Sequence, residues 1–544
     1  MVIIERKIVR ENFKIIIVLC IVSLISNFTK IVSPYMLQRI IENFDNFAYY
    51  LLCFLLLLFI SYSGQFLFEY LVKCFSVTFQ TSENVKIANL IYSMRYEDIE
   101  KNEPTYLADR QDEAVAYMFS LVSTNLSDII GGFISVVFII ILMVKYNYIL
   151  ALCYAVYAVI SFVGYKYINK SLLEKSMKVQ ETVSTNFKNI LSFMTNTNFL
   201  KMLSDFKMIG RHLEKLYKST AEENANVGFF AAGIGIILDF VLEIMQNTIY
   251  IITFYLVFVD KIQYSQVAVV VLLNNIFRTS METVNTTNIG LRDVKASINF
   301  INDTILGHQE QDKGSVIINN ISSIQVCAKD IGYDDNIYIE SGTLAARCGD
   351  IVGISGPSGI GKSTFIKVLL GLKDDSLSNI SYNGNNIHSV IKSSIKENVR
   401  YISQTKSVFP VSLKENLLLG MPEEKKESEE TLAAVNELLN EPWFAKFADL
   451  EIGLDTMILE GGANLSGGDQ QKISIVRILL NPPDLLILDE FSNSIDKEAE
   501  QQIMKKIKEK FNDKIVILIT HDEELLKWCN KVYTINNKQI VQKL

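Results

Sequence analysis

Ile351-Val352-Gly353-Ile354-Ser355-Gly356-Pro357-Ser358-Gly359-Ile360-Gly361-Lys362-Ser363-Thr364-Phe365-Ile366-Lys367-Val368-Leu369-Leu370 reads as an apolar strand, a glycine-rich loop and an apolar helix, and the loop fits G-x-x-x-x-G-K-[ST]. The glycines let successive backbone N–H groups turn inward around phosphate oxygens. The helix that follows offers its positive N-terminus to the same charge. The spacing therefore predicts a nucleoside triphosphate site over Gly356, Pro357, Ser358, Gly359, Ile360, Gly361, Lys362, Ser363 and Thr364. Lys362 can reach the β- and γ-phosphates, and the Ser363 hydroxyl is placed to ligate the magnesium ion that bridges them.

Further along, Leu465-Ser466-Gly467-Gly468-Asp469-Gln470 opens a helix-like run, and Leu485-Leu486-Ile487-Leu488-Asp489-Glu490 is an apolar strand ending in two carboxylates. At the carboxyl end of a buried strand beside the phosphate loop, Asp489 can hold magnesium. Glu490 is then free to orient and polarise an attacking water. The strand-like Ile515–Ile519 ends in Thr520-His521-Asp522, offering an imidazole to the γ-phosphate. Upstream, Tyr401-Ile402-Ser403-Gln404 offers an amide to the metal and the water.

Phosphate loop, Gln404, the Leu-Ser-Gly-Gly signature, Asp489-Glu490 and His521, in that order, resemble the nucleotide-binding domain of the ABC transporter family. The likeness runs from about Ser315 to the C-terminus. It implies ATP as the nucleotide, with Glu490, His521 and Gln404 catalytic and with Ser363, Asp489 and Gln404 around magnesium. It also implies two such domains head to tail, so that Ser466, Gly467 and Gly468 of one chain close over ATP held by another. Tyr333 matches the aromatic residue that stacks on adenine in this family; Tyr338 is the second candidate. Two segments depart from the family pattern. The signature carries Asp469 where glutamine is common, and Phe491-Ser492-Asn493-Ser494-Ile495-Asp496 replaces the common Ala-Thr-Ser-Ala-Leu-Asp. Asp469 suits the helix dipole but adds negative charge near ATP, so slower turnover is expected at most.

The rest of the chain is of another kind. Hydrophobic residues make up 49% of the sequence, and the excess is concentrated in the first three hundred residues. Crossing about 30 Å of hydrocarbon takes roughly twenty mainly apolar residues. Six segments qualify, near Phe13–Pro34, Phe47–Phe75, Ile129–Lys145, Tyr148–Ile168, Phe229–Val259 and Gln266–Ser280. The first follows Arg6, Lys7 and Arg10, but no small-residue cleavage site follows it, so it is read as a span and not as a signal peptide. Lysine and arginine collect at the N-terminus and in the connections near Thr78–Asp128 and Asn169–Asn226, which places both ends of this domain, and the ATPase after it, on the cytoplasmic side of the cell membrane. Lys145 argues weakly the other way. Heptad-like apolar spacing, as in Val85-Ile87-Leu90-Ile91-Met94, predicts helices that project beyond the bilayer.

The expected architecture is a multi-domain membrane protein: an all-α six-helix transmembrane domain over 1–305, a polar linker over 306–314, and an α/β P-loop ATPase domain over 315–544. By resemblance to the exporter branch, short coupling helices are expected near Tyr96–Tyr106 and Leu191–Leu200, received by Ser407–Asn416. The resemblance implies ATP-driven export of a peptide, lipid or drug-like amphiphile by a dimer of half-transporters, homodimer or heterodimer. An importer on the same fold, for instance of a metal chelate, is the alternative, with a non-transporting ATP-dependent sensor third. Net charge −8 and the lack of a basic patch argue against nucleic acid. Seven cysteines without a C-x-x-C pair and four scattered histidines predict neither a disulfide framework nor a metal beyond magnesium. No cysteine-protease domain precedes the first span, so self-processing of a leader peptide is not expected. For cargo, Asp239 and Glu243, one turn apart in the fifth span with Gln246 and Asn247 after them, suggest a polar acidic pathway favouring cationic amphiphiles; Gln65, Glu69 and Lys73 form a similar stripe. An ion pair between helices is the other reading of these groups.

Overall fold

A computed structural model of the chain describes every residue except 1, 204, 206, 313, 334–335, 374–376, 405–406, 448–452 and 544; the side chains at 2–6, 165, 167–174, 176–178, 180, 181, 184, 197, 198, 288, 289, 292 and 333 also lie outside the description. Two compact units result, residues 1–94 with 98–309 and residues 95–97 with 310–544.

Residues up to 309 form helices: α1 (Val2–Glu11), α2 (Phe13–Glu42), α3 (Phe47–Tyr92), α4 (Tyr96–Asn102), α5 (Pro104–Ser120), α6 (Leu126–Tyr146), α7 (Tyr148–Thr195), α8 (Thr197–Lys201), α9 (Lys207–Phe258) and α10 (Tyr264–Phe300). Among the described residues five stretches are long and apolar enough to cross a membrane: Phe13–Glu42, Phe44–Tyr92, Pro104–Tyr146, Lys207–Phe258 and Tyr264–Thr287. Tyr148–Gly164, the start of α7, is a shorter apolar helix where the fourth of the six spans was expected. A π-helical turn at Leu121–Asn125 joins α5 to α6.

The apolar side chains divide by partner. Ile139, Met143, Leu150, Tyr154, Tyr157, Leu242, Ile249 and Phe277 pack into one buried cluster between helices. Leu52, Leu55, Leu56 and Phe59 instead point outward, 53–72% exposed, as side chains facing lipid do. Polar groups join helices where apolar burial cannot: Ser26 Oγ donates to the Ser61 carbonyl at 2.8 Å and Ser61 Oγ to the Ser26 carbonyl at 3.0 Å. At 46 residues α3 is about 69 Å long, more than twice the hydrocarbon thickness. In its outer half Phe79 and Ile87 are buried, whereas Val85, two residues off that stripe, is 57% exposed.

The second unit holds β1 (Ser323–Tyr333), β2 (Asn336–Arg347), β3 (Ile351–Ser355), α11 (Lys362–Leu369), β4 (Asn379–Tyr382), β5 (Asn385–Asn386), α12 (Lys392–Asn398), β6 (Val399–Ile402), α13 (Leu413–Leu417), α14 (Glu423–Lys426), α15 (Glu429–Leu439), α16 (Gly467–Leu480), β7 (Leu485–Asp489), α17 (Lys497–Lys510), β8 (Ile515–Ile519), α18 (Glu523–Leu526), β9 (Lys531–Asn536) and β10 (Gln539–Gln542). Its ten strands make one sheet in the order β5-β4-β1-β2-β10-β9-β3-β8-β7-β6. The stretch β9-β3-β8-β7-β6 is parallel throughout. Every residue of β7 and β8 is buried, and these strands read as unbroken apolar runs because helices cover both faces of a parallel sheet. Register does the positioning: Ile354 pairs with Ile519, Asp489 with Ile519, and Ile402 with Leu488. The carboxyl ends of four strands therefore finish at one level, where α/β sheets bind ligands. Glu310, in the segment expected to be a linker, pairs with Lys392 and Lys396, and Asp312 accepts from the Lys392 backbone N–H at 2.9 Å.

Candidate nucleotide-binding site

The loop 356–361 leaves β3 and enters α11 with Gly361 as N-cap at φ 101°. A side chain there would be strained by the left-handed backbone, and its Cβ would come within 2.5 Å of Tyr338 Cβ. Tyr338, the second adenine candidate, is thus packed beneath the loop. Tyr333 ends β1, and its side chain lies outside the described residues. Lys362 is 8% exposed and its Nζ donates to the carbonyls of Gly356 at 2.8 Å and Pro357 at 3.1 Å. Burial lowers its pKa, with the Glu490 and Asp489 charges opposing. Ser363 and the loop residues Pro357, Ser358 and Gly359 are open to solvent.

Asp489 is 4% exposed at the end of β7. Its Oδ2 accepts from Ser363 Oγ at 3.4 Å and from Tyr401 OH at 2.9 Å. Burial raises this carboxyl above the ordinary range, the Glu490 charge adds to the rise, and the bonds from Tyr401 and Ser363 oppose it. Burial, reinforced by Asp489, also raises the Tyr401 phenol. A buried carboxylate beside a serine hydroxyl is an oxygen donor set suited to a hard divalent cation. Tyr401 lies in the segment quoted for Gln404, but its contact was invisible in sequence because it depends on β6 lying beside β7.

Glu490 adopts a left-handed backbone, φ 47°, which is uncommon outside glycine and characteristic of functional turns. Its carboxylate is gripped on both oxygens. Gln404 Nε2 donates to Oε2 at 3.1 Å, Asn493 Nδ2 to the same oxygen at 2.9 Å, and His521 Nε2 lies 3.3 Å from Oε1. His521 Nε2 is also 2.9 Å from Lys362 Nζ. Gln404, Asn493, Glu490, His521 and Lys362 are therefore one bonded chain, and Ser363, Asp489 and Tyr401 are a second one beside it. Asn493, which sequence reading noted only as a departure from a family pattern, supplies one of the bonds that hold Glu490.

Ser466 caps α16. Its Oγ accepts from the Asp469 backbone N–H at 3.2 Å, while Asp469 Oδ2 accepts from the Ser466 N–H at 3.1 Å, a capping box. A Cβ on Gly468 would lie 2.4 Å from the Ser494 carbonyl oxygen, so only glycine fits. Among the described residues no bond links Ser466–Asp469 with the loop 356–364. In the helical unit, Asp239 and Glu243 are exposed. Gln246 is buried, bonding Asn275 at 2.8 Å and receiving Arg278 Nη1 at 3.1 Å; Arg278 Nε reaches Glu282 at 2.9 Å. Arg278 was not singled out in the sequence, although Arg278 and Glu282 stand at i, i+4 on one helix.

Residues 340–493 match the ABC transporter family, and residues 16–281 match the ABC transporter transmembrane region. The microcin-J25 export ATP-binding/permease protein of Escherichia coli is 24% identical across 98% of this chain and 93% of its own length. A Staphylococcus aureus ATP-binding/permease protein whose name carries a provisional multidrug-export assignment is 32% identical across 39% of this chain and 36% of its own. In fold, a bacterial Atm1-family ABC exporter solved with ATP bound superposes with TM-score 0.77 over 98% of this chain and 94% of its own, at 17% identity. With both regions matched in order along one polypeptide, the chain belongs to the ABC transporter family as an exporter-type half-transporter, a membrane protein with a helical transmembrane domain followed by an ATP-binding domain.

Proposed function

We propose that two of these chains pair and use ATP hydrolysis to export an amphipathic peptide or similar amphiphile from the cytoplasm. The observation that carries this reading is the bonded group around Glu490 at the level ends of β3, β7 and β8, in a chain whose other half is a transmembrane region. In this reading Lys362 and the loop amides bind the β- and γ-phosphates, and Tyr333 stacks on adenine. Glu490 orients a water and takes its proton as oxygen attacks the γ-phosphorus and the bond to the ADP oxygen breaks. Gln404 and Asn493 fix the Glu490 carboxylate, and His521 meets the γ-phosphate. Ser363, Asp489 and Gln404 would hold Mg2+, which neutralises phosphate charge when bound. Ser466, Gly467 and Gly468 complete the site of the partner chain, so that ATP joins the nucleotide-binding units and hydrolysis parts them.

The full-length kinship to a microcin exporter supports a peptide cargo, and the Asp239 and Glu243 carboxylates support a cationic one. The short helices α4 and α8 are the proposed couplers, with the nucleotide-binding unit in the cytoplasm. Inside-out vesicles test the direction: export appears as ATP-dependent uptake of a cationic amphiphilic peptide, abolished by E490Q. ATP-dependent loss of preloaded cargo from the same vesicles would mean import.

A further inference from the structure

Asp469 is the departure in the signature, and it does not stand alone. Lys446 Nζ lies 2.7 Å from Asp469 Oδ2, the same oxygen that accepts the Ser466 N–H. The carboxylate side chain is 8% exposed and the lysine side chain 70%. What holds the lysine in place is the turn beneath it: Trp443, Phe444 and Phe447 are 5%, 0% and 3% exposed, and the two phenylalanine rings stack at 4.3 Å. Burial alone would raise the Asp469 carboxyl, but the bonds from Lys446 and Ser466 outweigh it and hold the pKa below its ordinary value. The group is therefore anionic at neutral pH.

Its position sets two demands against each other. A carboxylate in the first turn of α16 satisfies the helix N-terminus and fixes the Ser466 backbone. It also spends positive potential that the same N-terminus would offer to a triphosphate. A cation bonded to the carboxylate restores the balance without breaking the cap. Meanwhile Ser466 Oγ, exposed and accepting from Asp469 N–H, keeps its hydroxyl proton for an outside acceptor.

We propose that Lys446 is a positioning residue for ATP hydrolysis: it holds the Asp469 carboxylate on the Ser466 backbone and cancels its charge, so that the signature stays receptive to the γ-phosphate. The inference rests on the ATPase reading above and applies to the aspartate form of the signature. An amide at 469 would keep the cap and need no cation.

The test is ATP hydrolysis by the full-length chain in liposomes as a function of ATP concentration, at about 0.05 M and about 0.5 M salt, where the screening length shrinks roughly threefold. K446M is expected to raise the ATP concentration for half-maximal rate about fivefold at low salt, with kcat within about twofold, and to approach the parent at high salt as the uncancelled charge is screened. K446R should match the parent. K446M added to D469N should change nothing further. A parental KM for K446M at low salt, a deficit that salt does not relieve, or an equal deficit in the D469N background would each overturn the assignment. A parent chain without ATPase activity would overturn the ATPase reading and this inference with it.

Discussion

The phosphate loop and the signature are both helix N-termini preceded by a small residue, Gly361 before α11 and Ser466 before α16, yet the chain surrounds one and leaves the other bare. Around the loop, Lys362, His521, Glu490 and Gln404 bond in one chain and Asp489 bonds Ser363 and Tyr401 in another, across four strand ends. Among the described residues the bonds of Ser466 stay within the first turn of its own helix. The difference teaches that phosphate affinity and completeness are separate properties. A helix start becomes a full site only when other elements bring carboxylate, imidazole and amide to it, and among the described residues no other element bonds such a group to Ser466, Gly467 or Gly468.

The comparison breaks first at Glu490. E490Q preserves the shape and the bonds from Gln404 and Asn493 but cannot take a proton, so hydrolysis should fall by about 10² or more while ATP binding persists. Steady-state phosphate release within twofold of the parent would remove Glu490 from its role. A sharper probe combines two broken chains, K362A, which spoils the loop, and G468D, which spoils the signature and drives a side chain into the Ser494 carbonyl. Each alone should be inactive. Coexpressed, they should recover about a quarter of the parental rate, because half of randomly paired dimers carry one whole site of two. No recovery, with dimers present, would mean that each chain completes its own site. The smallest effect belongs to Tyr401. Y401F removes a hydroxyl that steadies the buried Asp489, so the Mg2+ concentration for half-maximal hydrolysis should rise about tenfold with kcat nearly unchanged. An unaltered Mg2+ dependence would make Tyr401 a packing residue only.

Much of this molecule is legible in the order of its residues. The phosphate loop, signature and Asp489-Glu490 are local patterns, each enforced by consecutive backbone angles or by a strand ending in carboxylates, and local constraints survive in the order of residues. The apolar runs of the helical unit were legible for the same reason, since lipid demands some twenty apolar residues at a stretch. What stayed hidden was partnership at a distance. Tyr401 meets Asp489 across 88 positions and Arg278 meets Gln246 across 32, and nothing local in either segment records the other. Lys446 is separated from Asp469 by 23 positions and by a turn whose buried aromatic residues, not its charge, decide where the lysine stands. The amino-acid sequence by itself determined the apolar helices, the glycine-rich loop before α11 and the carboxylate pair. Only the tertiary structure decided which side chains grip Glu490 and what cancels the charge of Asp469, because strand register and core packing act between segments that no short pattern spans.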